Sequence, residues 1–366
     1  IPAEDGVDGK LLLLVKPYTE KQEEVSEDKG VSQLYNRHLF DNINLNTVVA
    51  RIYHPKIGKD GKDAYGKTIP SKVGKPFKIQ SDKTLLVKSN NETGFDELLS
   101  QAEGFLINDS GKYCVKSELS ISGNLDFQYG HLDFIGSIKV SGDITPGFTV
   151  KAKKGIIVGG TIRESNLVVP EGDIAIKGFA FGGNNSKIIC SGKFTGSVIQ
   201  NLSVETHGDI IVLKEASDCQ LQSERCVFVE QGTLLGGTAY VAEGLQAKKI
   251  GNDAGKTTSI FLCSGVETRT EYRKIVAQIE EHEKAMELMK LHLGPLALNP
   301  SRIQLLKDPY KTKMKDLHFK YEQVLKSKIS LENKQKTMLE NVQPVDGLRV
   351  NILSIMYPGT VVKTSE

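Results

Sequence analysis

Three aspartates at repeated positions in the middle of the chain are the residues whose spacing could do chemistry. Each lies between a glycine and an isoleucine, and the three copies are Asp143, Asp173 and Asp209. Equivalent residues in neighbouring coils of a stacked β structure can form an acidic row, which could bind calcium or act on a polysaccharide. The sequence therefore raises the hypothesis of a polysaccharide-binding or polysaccharide-active face formed by these carboxylates.

The surroundings of the aspartates favour a structural role instead. Residues 154–156 and 192–194 interrupt the series, and the calcium-binding nonapeptide repeat is absent. No general base is spaced to accompany the carboxylates. Since aspartate in a turn commonly accepts hydrogen bonds from its own backbone, we predict that the three residues cap turns. The acidic face stays as the alternative.

No other grouping of side chains indicates catalysis. The seven histidines are scattered, and no two have the close spacing of a zinc-ligand pair. Motifs for a nucleophile elbow, a metalloprotease, a phosphate loop or a dinucleotide site do not occur in a fitting context. The sequence therefore predicts a protein that is not an enzyme and that has no cofactor and no metal site.

The composition is typical of a chain that turns often and packs small or β-branched residues. Its 366 residues include 35 glycines and no tryptophan, and the net charge of +2 argues against a nucleic-acid partner. No apolar run approaches the roughly 20 residues of a membrane span. An odd number of cysteines without a CxxC pair fits a reducing compartment and buried free thiols. The five are Cys114, Cys190, Cys219, Cys226 and Cys263.

Glycines that recur before apolar residues predict a β-solenoid. Their steps average about 17 residues, the length of one coil built from two short strands and tight turns. We expect these turns to need glycine at positive φ. A sandwich or barrel, the alternative, does not usually repeat a Gly-Asp-Ile turn at similar spacing. The glycines are Gly123, Gly142, Gly155, Gly172, Gly192, Gly208 and Gly244, with Arg225 where one more would fall.

Two heptad patterns then predict an inserted antiparallel coiled-coil hairpin. One apolar seam runs from Tyr272 to Leu293 and the other from Met314 to Val342. Gly-Pro and Asn-Pro pairs break the helix between them. A β pattern resumes afterwards, so the hairpin should leave the solenoid and return to it.

The predicted fold is therefore mainly β, with four regions along the chain. Residues 1–118 form an N-terminal β-rich domain and residues 119–266 form the β-solenoid. Residues 267–342 form the coiled-coil hairpin. Residues 343–366 are returning strands that complete the solenoid.

The break between the two helices carries apolar residues at the end of a projecting arm. Exposed apolar side chains there would dock a protein partner, although they could equally pack upon themselves. The second helix is also basic, with ten Lys and Arg against five Asp and Glu over residues 300–342. A solvated face or an anionic surface would account for that excess. The predicted partner-binding residues are Leu296, Leu298, Ile303, Leu306 and Tyr310.

A glycine- and lysine-rich stretch near the N-terminus resembles a known family. Residues 58–75, which begin Gly-Lys-Asp-Gly-Lys-Asp-Ala-Tyr-Gly-Lys, are similar to the signature of the flagellar assembly protein A (FapA) family. Residues 1–2 together with residues 5–10 resemble its upstream counterpart, and residues 122–150 and 357–359 resemble its coils and closing strand. The resemblance implies a bacterial, cytoplasmic protein of flagellar assembly with a β-solenoid as its defining domain. It carries over no catalytic residue.

We therefore predict a non-catalytic cytoplasmic scaffold or adaptor for bacterial flagellar assembly. It would bind protein partners of the flagellar-assembly or cell-pole machinery through the solenoid and the helical arm. We expect no nucleic-acid partner and at most a peripheral contact with membranes, and we leave open whether the chain forms a homo-oligomer.

Overall fold

A computed structural model describes residues 1–19, 35–90, 94–183, 186–262, 266–297, 300–340 and 349–364. The chain is mainly β, and its largest unit is a β-solenoid of about 8 turns. The first solenoid strand begins at Glu118.

Three small sheets precede the solenoid. An antiparallel sheet has the order β1-β2-β7-β6 and contains β1 (Lys10–Leu13), β2 (Val48–Tyr53), β6 (Leu85–Lys88) and β7 (Phe95–Ser100). A second sheet contains β5 (Gln80–Ser81), β8 (Phe105–Asp109) and β9 (Lys112–Lys116), and β3 (Gly61–Lys62) pairs with β4 (Thr68–Ile69). Buried residues that include Val49, Leu98 and Leu106 form the core of this region.

The stretch that resembles the FapA signature is built from three extended segments with a period of three residues. Residues 1–10, 55–62 and 69–77 lie side by side, and backbone hydrogen bonds join the first segment to the other two. A side chain on Gly6 or Gly74 would overlap backbone atoms of a neighbouring segment. Glycine at every third position facing a crowded axis is the packing of polyproline II helices. The inward positions are Ala3, Gly6, Gly9, Gly58, Gly61, Ser71 and Gly74.

The aspartates of this stretch hold the segments together. The Asp5 carboxylate accepts a hydrogen bond from the backbone N–H of Lys72 at 3.0 Å, and Asp8 accepts one from Lys75 at 2.7 Å. Asp60 likewise accepts one from the backbone N–H of Ser71 at 2.8 Å. The repeated Asp-Gly pairs of the signature therefore have a structural explanation. Glycine permits close approach, and the preceding aspartate satisfies a backbone donor.

Two parallel sheets form the solenoid, and successive strands alternate between them. The first follows the order β10 (Glu118–Ile121), β12 (Ser137–Val140), β14 (Gly155–Val158), β17 (Asp173–Phe181), β19 (Phe194–Gln200), β21 (Ile210–Ser217), β23 (Cys226–Leu235), β25 (Gly244–Ile250) and β27 (Arg349–Met356), with β15 (Ile162–Arg163) beside β17. The second follows the order β11 (Leu132–Phe134), β13 (Thr149–Ala152), β16 (Asn166–Val169), β18 (Lys187–Cys190), β20 (Ser203–Thr206), β22 (Gln220–Ser223), β24 (Thr238–Val241), β26 (Thr258–Leu262) and β28 (Thr360–Thr364).

Aliphatic side chains fill the solenoid because alternate residues of each strand point inward. Parallel in-register pairing stacks equivalent positions, so that Leu119, Ile138 and Ile156 follow one another in successive coils and all are buried. Similar columns run through both sheets and form one continuous core. β-Branched residues suit such strands because their side chains pack well on a pleated surface.

The glycines of the repeat occupy two different corners, which corrects the single series expected from the sequence. One corner stacks Gly123, Gly142, Gly160 and Gly178 through backbone hydrogen bonds. The other stacks Gly172, Gly192 and Gly208, and the strand register places Arg225 next in that column. Gly155 and Gly244 belong to neither corner, because they lie in β14 and β25, opposite Asp173 and Cys226. Placing these two in the glycine series was therefore wrong.

Close approach of adjacent coils, and not positive φ, explains most of these glycines. A side chain on Gly172 would overlap the carbonyl oxygen of Lys154, and one on Gly160 would overlap the Asp143 carboxylate. Of the seven glycines in the predicted series only Gly123 has a positive φ, of 107°. The expectation of a left-handed backbone at each turn was therefore wrong for the other six.

An aromatic cluster covers the N-terminal end of the solenoid. The rings of Phe40 and Phe105 lie 5.5 and 5.4 Å from the ring of Phe134 in β11. Tyr18 packs edge-on against Phe105, with 5.3 Å between ring centroids. The first inward residue of the solenoid, Leu119, is fully buried as a result.

Two helices are inserted between the last solenoid strands. Helix α1 (Val266–Leu293) and helix α2 (Tyr310–Glu340) are joined by two short 3-10 helices, Gly294–Ala297 and Pro300–Leu305. After the insertion β27 pairs in parallel with β25, so that Val350 lies opposite Leu245. The solenoid register thus continues across the inserted residues.

Candidate partner-binding site

The helical insertion holds its two helices side by side. His282 in α1 lies 3.0 Å from the Ser327 hydroxyl in α2, and Glu283 forms a 2.7 Å ion pair with Lys328. Toward the other end of α1, Leu293 packs with Met314 of α2 in a small buried cluster. These contacts position the connecting segment, which is the predicted docking region.

The charges between the helices also contribute to their contact. The hydrogen bond that Lys328 donates to the Glu283 carboxylate raises the pKa of Lys328 above its ordinary value. Lys328 also forms an ion pair with Glu332 at 3.4 Å, one turn along α2. Lys328 is therefore paired with an acidic residue of the opposite helix.

The structure places the predicted docking residues in different environments. Ile303 is 3% exposed in the cluster with Leu293 and Met314, and Leu296 and Leu306 are half-buried against that cluster. Tyr310 is 63% exposed. Leu298 lies outside the described residues. Most of the predicted set thus packs within the insertion.

Two apolar side chains outside the predicted partner-binding set are the most exposed of this region. Leu291 near the end of α1 is 79% exposed, and Leu305 in the connecting segment is 84% exposed. Leu288 lies one turn before Leu291 on the same side of α1 and is exposed as well. A signal was present in the heptads, since Leu288 and Leu291 fall outside the apolar seam and have no place in the helix interface.

The three aspartates do not form an acidic face. Asp173 and Asp209 share a column, but Lys193 lies between them in the intervening coil. Asp143 follows Gly142 at the other corner. The hypothesis of an acidic row is therefore wrong, because residues with the same local sequence occupy different corners of the coil.

Each aspartate has a structural role between coils. Asp143 accepts a hydrogen bond from the backbone N–H of Thr161 at 2.7 Å, and Asp173 accepts one from Lys193 at 2.7 Å. Asp209 accepts one from Cys226 at 3.2 Å. The prediction that these aspartates accept backbone hydrogen bonds is confirmed. The donor, however, belongs to the next coil and not to the aspartate's own turn.

Two further properties concern the described part of the chain. No group of three or more His, Cys, Asp and Glu side chains in it is arranged to hold a metal ion. Among the same residues, no helix combines the length and the apolarity that crossing a membrane requires.

Burial makes the described cysteines poor nucleophiles. It raises the pKa of both Cys190 and Cys219 to about 12, and it also raises the pKa values of Cys114 and Cys226. A raised pKa lowers the fraction of reactive thiolate at neutral pH. Cys263 lies outside the described residues.

We therefore expect Cys190 and Cys219 to resist alkylation in the folded protein. In a Cys263→Ser background at about pH 8, iodoacetamide should leave both unmodified while all four remaining thiols react after unfolding in guanidinium. Mass spectrometry of tryptic peptides measures each site. Rapid native labelling of Cys190 or Cys219 at a rate near that of a free thiol would contradict the burial of these side chains.

Comparison with known protein families identifies the family of this chain. The family described as the Flagellar Assembly Protein A beta solenoid domain matches residues 117–366, which is more than half of the chain. The Flagellar Assembly Protein A N-terminal region matches residues 1–109. The chain belongs to the flagellar assembly protein A family. No curated protein and no solved structure matched it.

Membership confirms the resemblance of the N-terminal signature and the coils. FapA is a family of flagellar assembly and is not known as an enzymatic one. The first match ends at residue 109 and the second begins at residue 117, close to the first solenoid strand at Glu118. The predicted domain boundaries themselves stay predictions.

Proposed function

We propose that this FapA chain is a non-catalytic cytoplasmic scaffold for bacterial flagellar assembly, and that its helical insertion docks a protein partner. Membership of a flagellar assembly family supports the process. The exposure of Leu291, Leu305 and Tyr310 at the connection between the helices supports the docking role. This exposure is the observation that carries the proposal.

The insertion is suited to act as an arm. His282 pairs with Ser327 and Leu293 packs with Met314, so the later residue of α1 contacts the earlier residue of α2, as in an antiparallel coiled coil. At 1.5 Å per residue, a helix the length of α1 extends about 40 Å. The connecting segment then lies at the far end from the solenoid, where a partner can reach it.

The solenoid is suited to be the rigid base of that arm. Its coils are joined by in-register parallel pairing and by one continuous aliphatic core. Eight layers at about 4.8 Å each give a rod roughly 40 Å long. A rigid rod fixes the direction in which the arm points, because each coil is held by its neighbours.

Docking through the arm is tested by polar substitutions at its exposed apolar residues. We expect the triple variant Leu291→Ser, Leu305→Ser and Tyr310→Ser to fail to restore swimming and normal flagella to a bacterium that lacks its own FapA. Exposed apolar anchors supply much of the affinity of such contacts. The measurements are swimming-zone diameter and flagella counted by electron microscopy.

A matched control variant distinguishes the loss of docking from a general effect of making the protein surface more polar. The variant Ile57→Ser, Val73→Ser and Leu86→Ser changes three exposed apolar residues outside the insertion. It should restore motility, and both variants should keep the parental thermal midpoint. If the arm variant restores full motility at an equal protein level, the insertion is not the docking site. The solenoid faces would then be the candidate docking surface.

A further inference from the structure

The lysine side chains of the N-terminal stretch take no part in joining its three extended segments. Backbone contacts and aspartate carboxylates hold the segments together, whereas every lysine of the stretch is exposed. Residues 1–10 and 55–78 contain eight lysines and no arginine, against five acidic residues. This local excess is larger than the net charge of the whole chain, so positive charge is concentrated on one small part of the surface.

Six of these lysines form two ridges along the bundle of three segments. A polyproline II helix repeats every three residues, so lysines three residues apart lie on one side of their segment, about 9 Å from one another. The Lys59 ammonium is 3.9 Å from the Glu4 carboxylate, and the Lys72 ammonium is 3.9 Å from the Asp5 carboxylate. Both ridges therefore face the first segment and flank it on its two sides. The ridges are Lys56, Lys59 and Lys62 in the second segment, and Lys72, Lys75 and Lys78 along the third.

The acidic residues beside the ridges leave most of the lysine charge unneutralised. The Asp5 carboxylate already accepts a hydrogen bond from the backbone N–H of Lys72. The Lys59 and Lys72 side chains are 85% and 88% exposed, and ion pairs this exposed contribute little. Among the residues that the structure describes, Lys56 and Lys75 have no ion-pair partner. We call Lys56, Lys59, Lys72 and Lys75 the lysine face.

We propose that the lysine face binds an anionic lipid surface. A broad surface reaches both ridges at once, whereas a single extended anionic chain would lie along only one of them. Lysines beside anionic lipids attract them without any defined contact geometry, and each lysine adds to the affinity. The hydrogen bonds between the segments also hold the lysines side by side, which lowers the entropic cost of bringing these charges to one surface.

The composition of this face favours lipid over nucleic acid. Recognition of nucleic acids commonly uses arginine, whose planar group binds phosphates and base edges through two hydrogen bonds. Proteins that bind single strands also stack the bases on aromatic rings. The two ridges and residues 1–10 contain neither arginine nor an aromatic residue. Lysine alone suits a surface of diffuse negative charge, because its ammonium group acts as a point charge on a flexible stem.

Sedimentation of the full chain with lipid vesicles tests the proposal. The chain should bind vesicles of phosphatidylcholine mixed with phosphatidylglycerol and should not bind vesicles of phosphatidylcholine alone. Binding should fall steeply as salt rises, because salt screens exposed charges. The variant Lys56→Gln, Lys59→Gln, Lys72→Gln and Lys75→Gln should bind at least about 100-fold more weakly, since each lysine near the lipid surface contributes about fivefold. All four side chains are exposed, so the thermal midpoint should stay at the parental value.

A matched variant distinguishes the lysine face from the basic second helix. Lys313→Gln, Lys315→Gln, Lys320→Gln and Lys326→Gln makes the same charge change at exposed positions of α2 and should leave vesicle binding unchanged. Loss of binding in this variant, or undiminished binding of the lysine-face variant, would overturn the proposal. A chain that binds neither kind of vesicle at low salt, or that binds both equally, would overturn it as well. Tighter binding of a single-stranded oligonucleotide than of anionic vesicles would assign the face to nucleic acid instead.

A polar variant tests whether charge is responsible for the contact. Ile57→Ser, Val73→Ser and Leu86→Ser retains every lysine and should bind anionic vesicles like the parental chain. Ile57 lies three residues from Asp60, which accepts a hydrogen bond from Ser71, so this ridge faces the third segment and not the lysine face. Loss of vesicle binding in the polar variant would mean that apolar insertion carries the contact, which is contrary to the proposal.

Acetylation of the unaltered chain supplies an independent measurement. Anionic vesicles should slow the reaction of Lys56, Lys59, Lys72 and Lys75 with an amine-reactive ester several-fold and leave that of Lys320 unchanged. Mass spectrometry of the digested protein reads each site. Protection confined to α2, or no protection at all, would contradict contact through the lysine face.

Discussion

The Gly172→Ala variant is expected to be destabilised by about 3 kcal/mol, because overpacking against a backbone that cannot move has costs of this size. The new methyl group would overlap the carbonyl oxygen of Lys154 in the adjacent coil. That carbonyl belongs to the backbone next to β14, whose strand ladder holds it in place. The free energy of unfolding in urea, measured by circular dichroism, tests this expectation.

Gly155→Ala is the matched control because it is the same substitution at the residue next to Lys154, in the coil that Gly172 contacts. The nearest atom to an added methyl group there is the Asp173 carbonyl oxygen at 3.4 Å, an ordinary contact distance. We expect a change below about 1 kcal/mol, partly offset by the lower entropy of the unfolded chain. Equal destabilisation at both positions would mean that the two glycines do share one structural role.

The second large effect is expected from Phe105→Ala at the covered end of the solenoid. Phe105 is 2% exposed and packs against the rings of Tyr18, Phe40 and Phe134. Truncating a buried phenylalanine costs about 3–5 kcal/mol. Because solenoid coils are coupled mainly to their neighbours, the loss should concentrate at the first coils. Hydrogen exchange should quicken in β8, β10 and β11 and change little in β23 and β25.

Phe179→Ala provides the comparison for the same truncation on the solenoid surface. Phe179 is 48% exposed in β17 and stacks on Phe181 at 6.0 Å. Its loss should cost about 1 kcal/mol and leave exchange at the N-terminal end unchanged. Quickened exchange spread evenly over all coils after Phe105→Ala would show that the cap is not a local element.

The order of structural elements along the chain could be predicted from the local sequence pattern. Recurrent glycine, the mainly β character and the interruption by two helical segments follow from spacing alone, because period distinguishes strands from helices. Arg225 was placed correctly in the glycine column, since only the coil length is needed to find it. The FapA resemblance rested on residues 58–75, whose Asp-Gly pairs now have a packing explanation.

Local pattern could not assign residues to corners. A coil has two corners with similar sequences, so an average period does not tell which corner a Gly-Asp-Ile copy belongs to. Asp143 and Asp173 therefore looked equivalent although backbone pairing puts them at different corners. The distance between a glycine and the coil below it is likewise a property of the stacked structure.

The candidate docking region was also predictable only in part from the sequence. The heptads and the breaks at Pro295 and Pro300 indicate from sequence alone where the connection between the helices lies. Tertiary packing decides which of its apolar residues reach solvent, because Ile303 turns into the cluster with Leu293 whereas Leu305 does not.

Sequence by itself thus determined a mainly β repeat with a helical interruption, because these depend on the order of residues along the chain. Tertiary structure alone decided the two corner columns, the exposed set of the insertion and the aromatic cluster that covers the first solenoid coils. Each of those depends on which residues from distant parts of the chain lie against one another, and no local period carries that information.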